Sequence, residues 1–246
     1  MRTLAVIPAR LGSTRFPRKV LYPWQGRPLL YHVWRRVTKA RQIDRVVIAT
    51  DSTEIQEAST GFGAEVVLTS SRCKTGTDRV AEAFRKLGGD IVINVQADSF
   101  NLAPSALDKI VSAMKKDRSI RFATMARPIR TDEELFDPNK VKVVRSADEL
   151  ALWFSRFPIP YIQRAEEKPR SSQFSFLLHI GIYFFRAAAL RQFVLWPRTA
   201  LEKAESLEQL RVLEHGGKMR LFISNMNSVT IDSPADLKRL SGGTGR

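Results

Sequence analysis

The sequence contains one cysteine and three histidines in 246 residues. A single cysteine, Cys73, excludes an intrachain disulfide and any zinc or iron–sulfur site built from clustered cysteines. Long apolar runs are also missing, since the longest uncharged stretch, Ser171–Phe185, falls short of the roughly 20 apolar residues that cross a bilayer. The apolar segment Leu4–Ala9 is too short for a signal peptide. These absences exclude a secreted disulfide scaffold and predict a cytoplasmic protein without a membrane span.

Acidic residues are scarce at the start of the chain. Lys and Arg number 40 against 25 Asp and Glu, which gives a net charge of +15. Residues 1–50 hold eleven of these cations against Asp44 alone, so this segment carries +10 of the total. The excess predicts a polyanionic partner, either nucleotide phosphates, nucleic acid or an acidic membrane surface. For the four cations between residues 35 and 41, a solvated helix face is the alternative.

Short apolar runs alternate with helical patterns through the first half of the chain. Val/Ile-rich runs such as Arg45–Thr50 and Asp90–Gln96 are typical of strands that are buried on both faces. Helices are predicted between such runs, at Pro28–Ala40, Thr53–Phe62, Thr77–Leu87 and Pro104–Lys115. This alternation predicts an α/β fold with a doubly wound, mostly parallel, Rossmann-like sheet.

The pattern becomes β-rich after about residue 120. Strand-like segments follow with little helix between them, at Arg121–Arg127, Val141–Arg145, Leu150–Arg156 and Leu178–Phe185. A helix is predicted at Leu201–Glu214, and a last helix after Ser233. We expect one domain over 1–246, made of a first half (1–120), a β-rich insertion (121–200) that covers the open end of the sheet, a helical return (201–240) and a flexible tail (241–246).

A basic loop follows the first predicted strand. Between Pro8 and Lys19 it carries Arg10, Arg15, Arg18 and Lys19, together with Gly12 and the hydroxyl groups of Ser13 and Thr14. Ligands of open α/β sheets bind beyond the carboxyl ends of the strands, and cationic side chains with backbone N–H groups are what a triphosphate requires. The loop matches neither the P-loop nor the G-x-G-x-x-G pattern. We interpret it as a phosphate-binding loop rather than an ordinary basic loop.

Three further segments carry candidate functional groups. The segment Thr75-Gly-Thr-Asp-Arg79 precedes a helix and is compatible either with binding a base or phosphate or with a simple N-cap. Asp98 and Asp232 end predicted strands and could together hold Mg²⁺ with phosphate oxygens, although Asp232 could instead cap the following helix.

A last group of candidates lies in the second half of the chain. His179, Gly181 and Tyr183 are predicted on one face of a strand, and Glu208, Gln209 and Arg211 on a helix. The three histidines form no zinc pair, and no Ser/His/Asp order is suggested.

In order and spacing, these motifs resemble the 3-deoxy-D-manno-octulosonate (Kdo) cytidylyltransferase family across essentially the whole chain. The matching segments are IPARxGSTRFPxK (Ile7–Lys19), VVIATD (Val46–Asp51), xTGTDR (ending at Arg79), NVQxD (Asn94–Asp98), ALWFSRFPIPY (Ala151–Tyr161), HIGIYFFR (His179–Arg186), the LEQLRVLE region (Leu201–Gly216) and VTIDSPADL (Val229–Leu237). The resemblance implies a nucleotide-sugar transferase fold and cytidylyl transfer from CTP to the anomeric hydroxyl of Kdo, for lipopolysaccharide biosynthesis. It also implies Mg²⁺ as cofactor and a homodimer built through the β-rich half.

The resemblance further implies a role for each matching position. Residues expected to bind CTP are Ala9, Arg10, Gly12, Ser13, Lys19, Thr75, Gly76, Thr77 and Arg79. The implied Mg²⁺ ligands are Asp98 and Asp232, which with Lys19 and Arg10 form the catalytic set. Residues expected to line the sugar-acid pocket are Arg15, Gln96, His179, Tyr183, Glu208 and Gln209.

The chain departs from the family pattern at a few positions. Arg18 stands where the family has glycine, so a backbone conformation that a side chain disfavours is expected there. Thr75 stands where the family has serine. The family's QGDEP is replaced by Gln96-Ala-Asp-Ser-Phe100, which adds a Cβ at Ala97 and removes one carboxylate at Ser99.

Two alternatives to this function remain open from the sequence. One is a cytidylyltransferase for a different acidic sugar. The other is a non-catalytic basic protein of this fold that binds nucleic acid, since aromatic residues that can stack on bases are interleaved with the cations of the first segment. These aromatic residues are Phe16, Tyr22, Trp24, Tyr31 and Trp34.

Overall fold

The structure is a computed structural model that describes residues 1–12, 16–226, 229–231 and 236–237. It forms two compact units. The first contains Met1–Lys115 together with the described residues from Met226 onwards, and the second is Lys116–Asn225.

The first unit is built around four parallel strands. Its strands are β1 (Thr3–Pro8), β2 (Pro23–Trp24), β3 (Arg27–Pro28), β4 (Arg45–Thr50), β5 (Glu65–Leu68), β6 (Ile91–Val95) and β7 (Ser99–Phe100). Its helices are α1 (Leu29–Val37), α2 (Thr53–Gly61), α3 (Gly76–Leu87) and α4 (Pro104–Lys116). The parallel strands have the order β6-β1-β4-β5. The predicted alternation of strands and helices is therefore confirmed in this unit.

Burial explains why these runs form the centre of the sheet. Five of the six residues of β1 have no more than 1% of their surface exposed, and all five residues of β6 are buried. Helix α1 buries Leu29, Leu30, Val33 and Val37, which recur at the helical period and form its inner face.

The second unit is a mostly antiparallel sheet. Its strands are β8 (Phe122–Pro128), β9 (Lys142–Arg145), β10 (Ala151–Ser155), β11 (Leu177–Arg186) and β12 (Met219–Ile223), in the order β12-β8-β11-β9-β10. Its helices are α5 (Asp132–Phe136), α6 (Ala187–Leu195), α7 (Ala200–Glu205) and α8 (Leu210–Glu214). Only the β12–β8 pair among these strands is parallel. A final strand, β13 (Val229–Thr230), belongs to the first unit and pairs there with β7.

The helices of the second unit differ from the sequence prediction. Little helix was expected before Leu201, whereas α5 follows β8 and α6 directly continues the chain from β11. Helix α5 has five residues, too few for a periodic pattern, and the apolar run of β11 obscures the start of α6. Within the described ranges, no helix has both the length and the apolar character needed to cross a membrane.

The predicted helix Leu201–Glu214 is wrong as one continuous element. Helix α7 ends at Glu205. The next residue, Ser206, has a left-handed φ of 52°, and α8 starts only at Leu210. A buried ion pair explains the break. Arg211 Nε lies 2.7 Å from Glu202 Oε2, and Arg211 Nη2 lies 2.6 Å from Glu202 Oε1. Residues 202 and 211 are nine positions apart and would be separated by about 13.5 Å along the axis of a straight helix. The chain must therefore turn between them for the bidentate pair to form.

We expect Arg211→Met to lower the free energy of unfolding by about 3–5 kcal/mol, because Glu202 would be left as a buried charge without its bidentate partner. The side chains of Arg211 and Glu202 are only 5% and 1% exposed. Urea unfolding followed by circular dichroism measures the change. The exposed Lys203→Met, one residue after Glu202, serves as the matched control. A loss below about 1 kcal/mol in Arg211→Met would contradict the proposed role of the pair.

Candidate functional site

The basic loop begins where β1 ends. The backbone of Ala9 is fixed by a hydrogen bond from its N–H to the carbonyl of Ala49, 2.8 Å away, and its side chain is buried. The next residue, Arg10, is exposed, as is Gly12. The structure therefore places the Arg10 side chain in solvent at the carboxyl end of the sheet, where a polyanion can reach it. Three residues of the predicted loop, Ser13, Thr14 and Arg15, lie outside the described residues.

Arg18 has the conformation that its replacement of a glycine led us to expect. Its φ of 57° and ψ of 22° are left-handed, a region that favours glycine. Its side chain forms an ion pair with Glu54 at the solvent-exposed start of α2. The short 3-10 helix Lys19–Leu21 follows directly, so the left-handed residue turns the chain and places Lys19 at the beginning of that helix.

Lys19 and Asp98 lie together at the centre of the candidate site. Lys19 Nζ is 2.7 Å from Asp98 Oδ2, and it also donates to the carbonyl of Ile231 at 2.7 Å. The two side chains are partly buried, with 12% and 25% of their surface exposed. Residues 79 positions apart in the chain thus meet, and both belong to segments that the sequence analysis singled out as candidates. The Ile231 N–H donates to the Asp98 carbonyl at 3.2 Å, which places the chain just before Asp232 against Asp98. Asp232 itself lies outside the described residues.

A tight turn presents Asp98. The N–H of Ser99 donates to the carbonyl of Gln96 at 3.1 Å, so residues 96–99 form a β-turn immediately after β6. Ser99 is buried in β7, where it pairs with β13. A serine in place of the family's carboxylate suits this position because a buried charge would need its own partner.

The residue after the turn is held by aromatic contacts. The Phe100 ring meets Trp24 edge to face, with centroids 5.9 Å apart, and lies 6.5 Å from the ring of His32. The His32 ring is also 4.7 Å from Trp24, and its Nε2 is 2.9 Å from the Trp24 carbonyl oxygen. Trp24 belongs to the hairpin of β2 and β3, so this hairpin and α1 together support the segment that carries Asp98.

The segment that precedes α3 is a capping box. Thr75 Oγ1 accepts from the N–H of Asp78, and Asp78 Oδ2 accepts from the N–H of Thr75. The N-cap interpretation of this segment is therefore confirmed. A Cβ built at Gly76 would lie 3.4 Å from Pro8 Cγ, which shows that the N-terminus of α3 lies against the end of β1. This 12-residue helix therefore starts beside the basic loop.

Gln96 is connected to α3 through a residue that the sequence analysis did not assign a role. Asn94 is fully buried, and its Nδ2 donates to Thr77 Oγ1 at 3.0 Å. Gln96 Nε2 in turn donates to Asn94 Oδ1 at 3.3 Å. Thr77 contacts Asn94 and has no exposed surface. Its binding to CTP stays a prediction. Asn94 is the one polar residue in the apolar run of β6, and this position in the sequence could have identified it as a functional candidate.

Arg79 is also buried, where it meets Asp51, a residue for which the sequence predicted no role. Arg79 Nη2 lies 3.0 Å from Asp51 Oδ2, and its Nη1 donates to Thr69 Oγ1. Asp51 and Thr69 directly follow β4 and β5, so Arg79 connects the carboxyl ends of two neighbouring strands. The contact of Arg79 with CTP stays a prediction.

In the second unit, His179 lies inside the sheet. Its Nε2 is 2.9 Å from Thr124 Oγ1, and the Thr124 hydroxyl donates to the carbonyl of Ile182 at 2.8 Å. The hydroxyl oxygen therefore accepts from Nε2–H, which leaves Nδ1 unprotonated. Phe154 contacts the ring edge to face at 4.9 Å. Burial lowers the pKa of His179 to about 3, so the imidazole is neutral at physiological pH.

Tyr183 and Gln209 continue this polar row. The rings of His179 and Tyr183 are 5.5 Å apart, although the register with β8 shifts between Ile180 and Tyr183. The Tyr183 hydroxyl donates to Gln209 Oε1 at 3.0 Å. Burial, with a contribution from the charge of Glu208, raises the pKa of Tyr183 well above its usual value. Gln209 Nε2 is buried and, within the described residues, has no hydrogen-bond partner. A buried donor without an acceptor costs free energy unless a ligand supplies the acceptor.

We predict that His179 makes the stability of the protein depend on pH. Its pKa is about 3 when folded and 6.5 for the ordinary imidazole, so only the unfolded chain takes up this proton between these values. The free energy of unfolding is therefore fully retained above pH 6.5 and decreases below it by about 1.4 kcal/mol per pH unit. Urea unfolding between pH 6.5 and 5 measures the slope.

Two variants identify the residue responsible for this slope. In His179→Asn the slope should nearly disappear in that pH range, whereas the exposed His215→Asn should keep it. Equal slopes in the two variants would contradict the assignment.

The predicted site residues thus fall into sets that the structure can place. Lys19 and Asp98 meet, Gln96 is linked to Thr77 through Asn94, and His179, Tyr183 and Gln209 form one polar row. Glu208 is partly exposed next to Gln209. The predictions for Ser13, Arg15 and Asp232 fall outside the described residues. Among the described residues, no three His, Cys, Asp or Glu side chains gather into a metal-binding cluster.

Comparison with known proteins gives consistent matches. A model of the cytidylyltransferase family matches residues 4–221. The 3-deoxy-manno-octulosonate cytidylyltransferase of Geobacter sulfurreducens is 39% identical over 98% of each chain. The enzyme of that name from Chlorobium chlorochromatii is 38% identical, over 97% of this chain and 95% of the relative.

A solved structure agrees with these relatives. The structure of a CMP:2-keto-3-deoxy-manno-octonic acid synthetase in complex with CTP matches with a TM-score of 0.90 and 34% identity, and the match covers 98% of both chains. The predicted α/β fold of the nucleotide-sugar transferase type is thereby confirmed.

Proposed function

The chain belongs to the 3-deoxy-manno-octulosonate cytidylyltransferase family, and on that premise we propose how its residues perform the reaction. The chain is a cytidylyltransferase that transfers the cytidylyl group of CTP to Kdo and releases diphosphate. The product is CMP-Kdo, and its use in lipopolysaccharide biosynthesis follows from the identity of the sugar. The fold and the near-complete coverage of the relatives support this assignment over a non-catalytic basic protein.

The observation that carries the mechanism is the Lys19–Asp98 pair. An ammonium group and a carboxylate lie 2.7 Å apart at the carboxyl ends of β1 and β6, with the exposed Arg10 on the same loop as Lys19. Nucleotidyl transfer needs no covalent enzyme intermediate, so it depends on positioning and on neutralising phosphate charge. Arg10 and Lys19 supply cations for the β- and γ-phosphates, whose charge increases as diphosphate leaves.

The described part of the site fits Mg²⁺. Carboxylate oxygens are hard donors, and the Asp98 side chain keeps a quarter of its surface exposed. The Lys19 ammonium already lies between Asp98 Oδ2 and the Ile231 carbonyl, so this position accepts a cation. Asp98 would hold the ion, and Asp232 is proposed as the second ligand because it follows Ile231 in the chain. When bound, the ion supplies charge neutralisation at the α-phosphate and acidifies the attacking hydroxyl.

The other predicted CTP contacts surround the same strand ends. Gly76, the first residue of α3, lies beside Pro8, and we propose that a phosphate approaches its backbone N–H, since glycine has no side chain in the way. Arg79 and Thr77 are buried, and we propose that they keep the N-terminus of α3 in place rather than contact the nucleotide in the described conformation. The anomeric hydroxyl of the sugar then attacks the α-phosphorus in line with the leaving diphosphate.

The row of His179, Tyr183 and Gln209 is proposed to bind the sugar acid. Gln209 Nε2 is a buried donor that a sugar hydroxyl or carboxylate oxygen can satisfy. The neutral His179 and the protonated Tyr183 add no charge of their own, so they can bind hydroxyl groups without repelling the substrate's carboxylate. Gln96, Glu208 and Arg15 complete the predicted sugar-acid set, with Arg15 proposed to pair with the carboxylate.

Two further properties are proposed on the basis of the family alone. We propose a homodimer formed through the β-rich unit and a cytoplasmic location. A cytidylyltransferase for another acidic sugar is the remaining alternative for the substrate, since the buried Gln209 donor would fit any polyhydroxy acid of similar size.

The assay mixes the protein with CTP, Mg²⁺ and Kdo and follows diphosphate release together with formation of CMP-Kdo. A panel of other sugar acids, including amino and deoxy variants, is tested in parallel. The proposal expects the highest kcat/KM for Kdo. A higher value for another acid would assign that sugar instead, and folded protein that is inactive with every acid would refute the enzymatic function.

A further inference from the structure

A cationic face covers the end of α1 and the turn that follows it. Its four side chains are exposed, and within the described residues none of them forms a hydrogen bond or an ion pair. We call this set the α1 basic face, and it consists of Arg35, Arg36, Lys39 and Arg41. None of these residues belongs to the catalytic loop or to the predicted substrate sites.

The four cations lie within seven residues of the chain. Arg35 and Lys39 are four residues apart, and the turn from Arg36 to Lys39 is closed by a backbone hydrogen bond of 3.2 Å. The N–H of Arg41 donates to Asp108 of α4 at 3.0 Å, which holds the turn against that helix. Lys115, near the end of α4, adds a fifth cation, and its Nζ donates to Gln42 Oε1 at 3.1 Å.

Nearby carboxylates leave the face positive. Asp108 accepts the N–H groups of Arg41 and Gln42, at 3.0 Å and 2.7 Å, and Asp44 accepts the N–H of Thr3 at 2.7 Å. Both carboxylates therefore accept hydrogen bonds from backbone N–H groups and do not pair with the exposed cations. Arg35 and Arg36 complement the C-terminal end of the helix dipole, but Lys39 and Arg41 lie beyond that last turn and need another explanation.

We propose that the α1 basic face docks the protein on an anionic phospholipid surface. Clustered Lys and Arg side chains are attracted to anionic headgroups, and no shaped groove is required. Tyr31 and Trp34 lie on the same helix and are partly exposed, and these residue types favour the boundary between water and lipid.

The same aromatic residues argue against single-stranded nucleic acid. Tyr31 and Trp34 each pack on Phe62, with ring centroids 5.3 Å apart in both cases. Because both rings are half-buried and already in contact, they are poorly placed to stack on bases, which is how proteins bind single strands. A delocalised attraction to lipid phosphates needs only the exposed cations.

The test is co-sedimentation of the full chain with two kinds of vesicle. One contains only phosphatidylcholine, and the other contains about one third phosphatidylglycerol, an anionic lipid of the kind that attracts polybasic surfaces. The variant carries Arg35→Gln, Arg36→Gln, Lys39→Gln and Arg41→Gln. The matched control removes the same charge from exposed positions of the second unit, through Arg118→Gln, Arg164→Gln, Lys203→Gln and Lys218→Gln.

The proposal expects binding to anionic vesicles only. The α1 variant should lose at least about 100-fold in apparent affinity, since each cation adds to the attraction, while the control variant keeps most of its binding. Binding should weaken as salt is added, and both variants should retain cytidylyl transfer. Three results would overturn the proposal: equal losses in the two variants, no vesicle binding by the native chain, or binding of single-stranded RNA through this face without vesicle binding.

Discussion

Replacing Asp98 with asparagine is expected to lower kcat for cytidylyl transfer by about 10²–10³-fold, because it removes the carboxylate proposed to hold the Mg²⁺ that would neutralise phosphate charge. The substitution preserves the size of the side chain and its fit in the turn of residues 96–99, so the fold should be unchanged. Steady-state rates at saturating CTP and Kdo measure the effect.

Two controls make the Asp98→Asn result specific. Asp148→Asn removes the same charge from an exposed position in the second unit and should leave kcat unchanged. In Asp98→Asn, the Mg²⁺ concentration needed for half-maximal rate should also rise, which a purely structural role would not cause. Near-normal turnover with an unchanged Mg²⁺ requirement would remove Asp98 from the mechanism.

Replacing Lys19 with methionine is expected to lower kcat/KM for CTP by about 10²–10³-fold, the range found when one group that stabilises developing charge is lost. The ammonium group is the cation that lies against Asp98 and the Ile231 carbonyl, and only 12% of the side chain is exposed. Methionine keeps much of the length and the apolar stem. Initial rates measured over a range of CTP concentrations give the change.

The matched variant for Lys19→Met is Lys39→Met, which removes an exposed ammonium group from the same unit. It should behave like the native enzyme, because Lys39 lies in the turn after α1 and not in the loop after β1. If Lys19→Met changed KM for Kdo but left kcat/KM for CTP intact, the assignment of Lys19 to the triphosphate would be wrong.

Much of the first unit could be predicted because its elements are local. The apolar runs of β1, β4 and β6 and the helical spacing of α1 are visible within about ten residues, and burial on both faces of the sheet enforces them. The left-handed Arg18 could also be anticipated, because a family glycine marks a backbone conformation rather than a side chain.

The contacts that complete the site are not local and could not be predicted in the same way. The capping box at Thr75 was one of two equal possibilities, since the same residues suit either a cap or a ligand. The pairing of Arg79 with Asp51 connects two strand ends, and no spacing rule specifies it. The meeting of Lys19 with Asp98 was predictable only because the carboxyl ends of parallel strands lie at one edge.

The second unit shows why a helical pattern alone can mislead. Residues 201–214 have the composition of one helix, yet the buried pair of Glu202 and Arg211 requires two short helices at an angle. Neither charge could stay buried without the other, so the break in the helix is what allows both side chains to lie inside the unit. The segment between the two helices contains Gln209, so the break also determines where this sugar-binding candidate lies.

A crystal structure with CTP and Mg²⁺ tests the central claim most directly. The account predicts the metal on carboxylate oxygens of Asp98 and Asp232, with Lys19 and Arg10 contacting the β- and γ-phosphates. A triphosphate bound elsewhere, with Asp98 still paired to Lys19 and Asp232 directed away from it, would contradict the account.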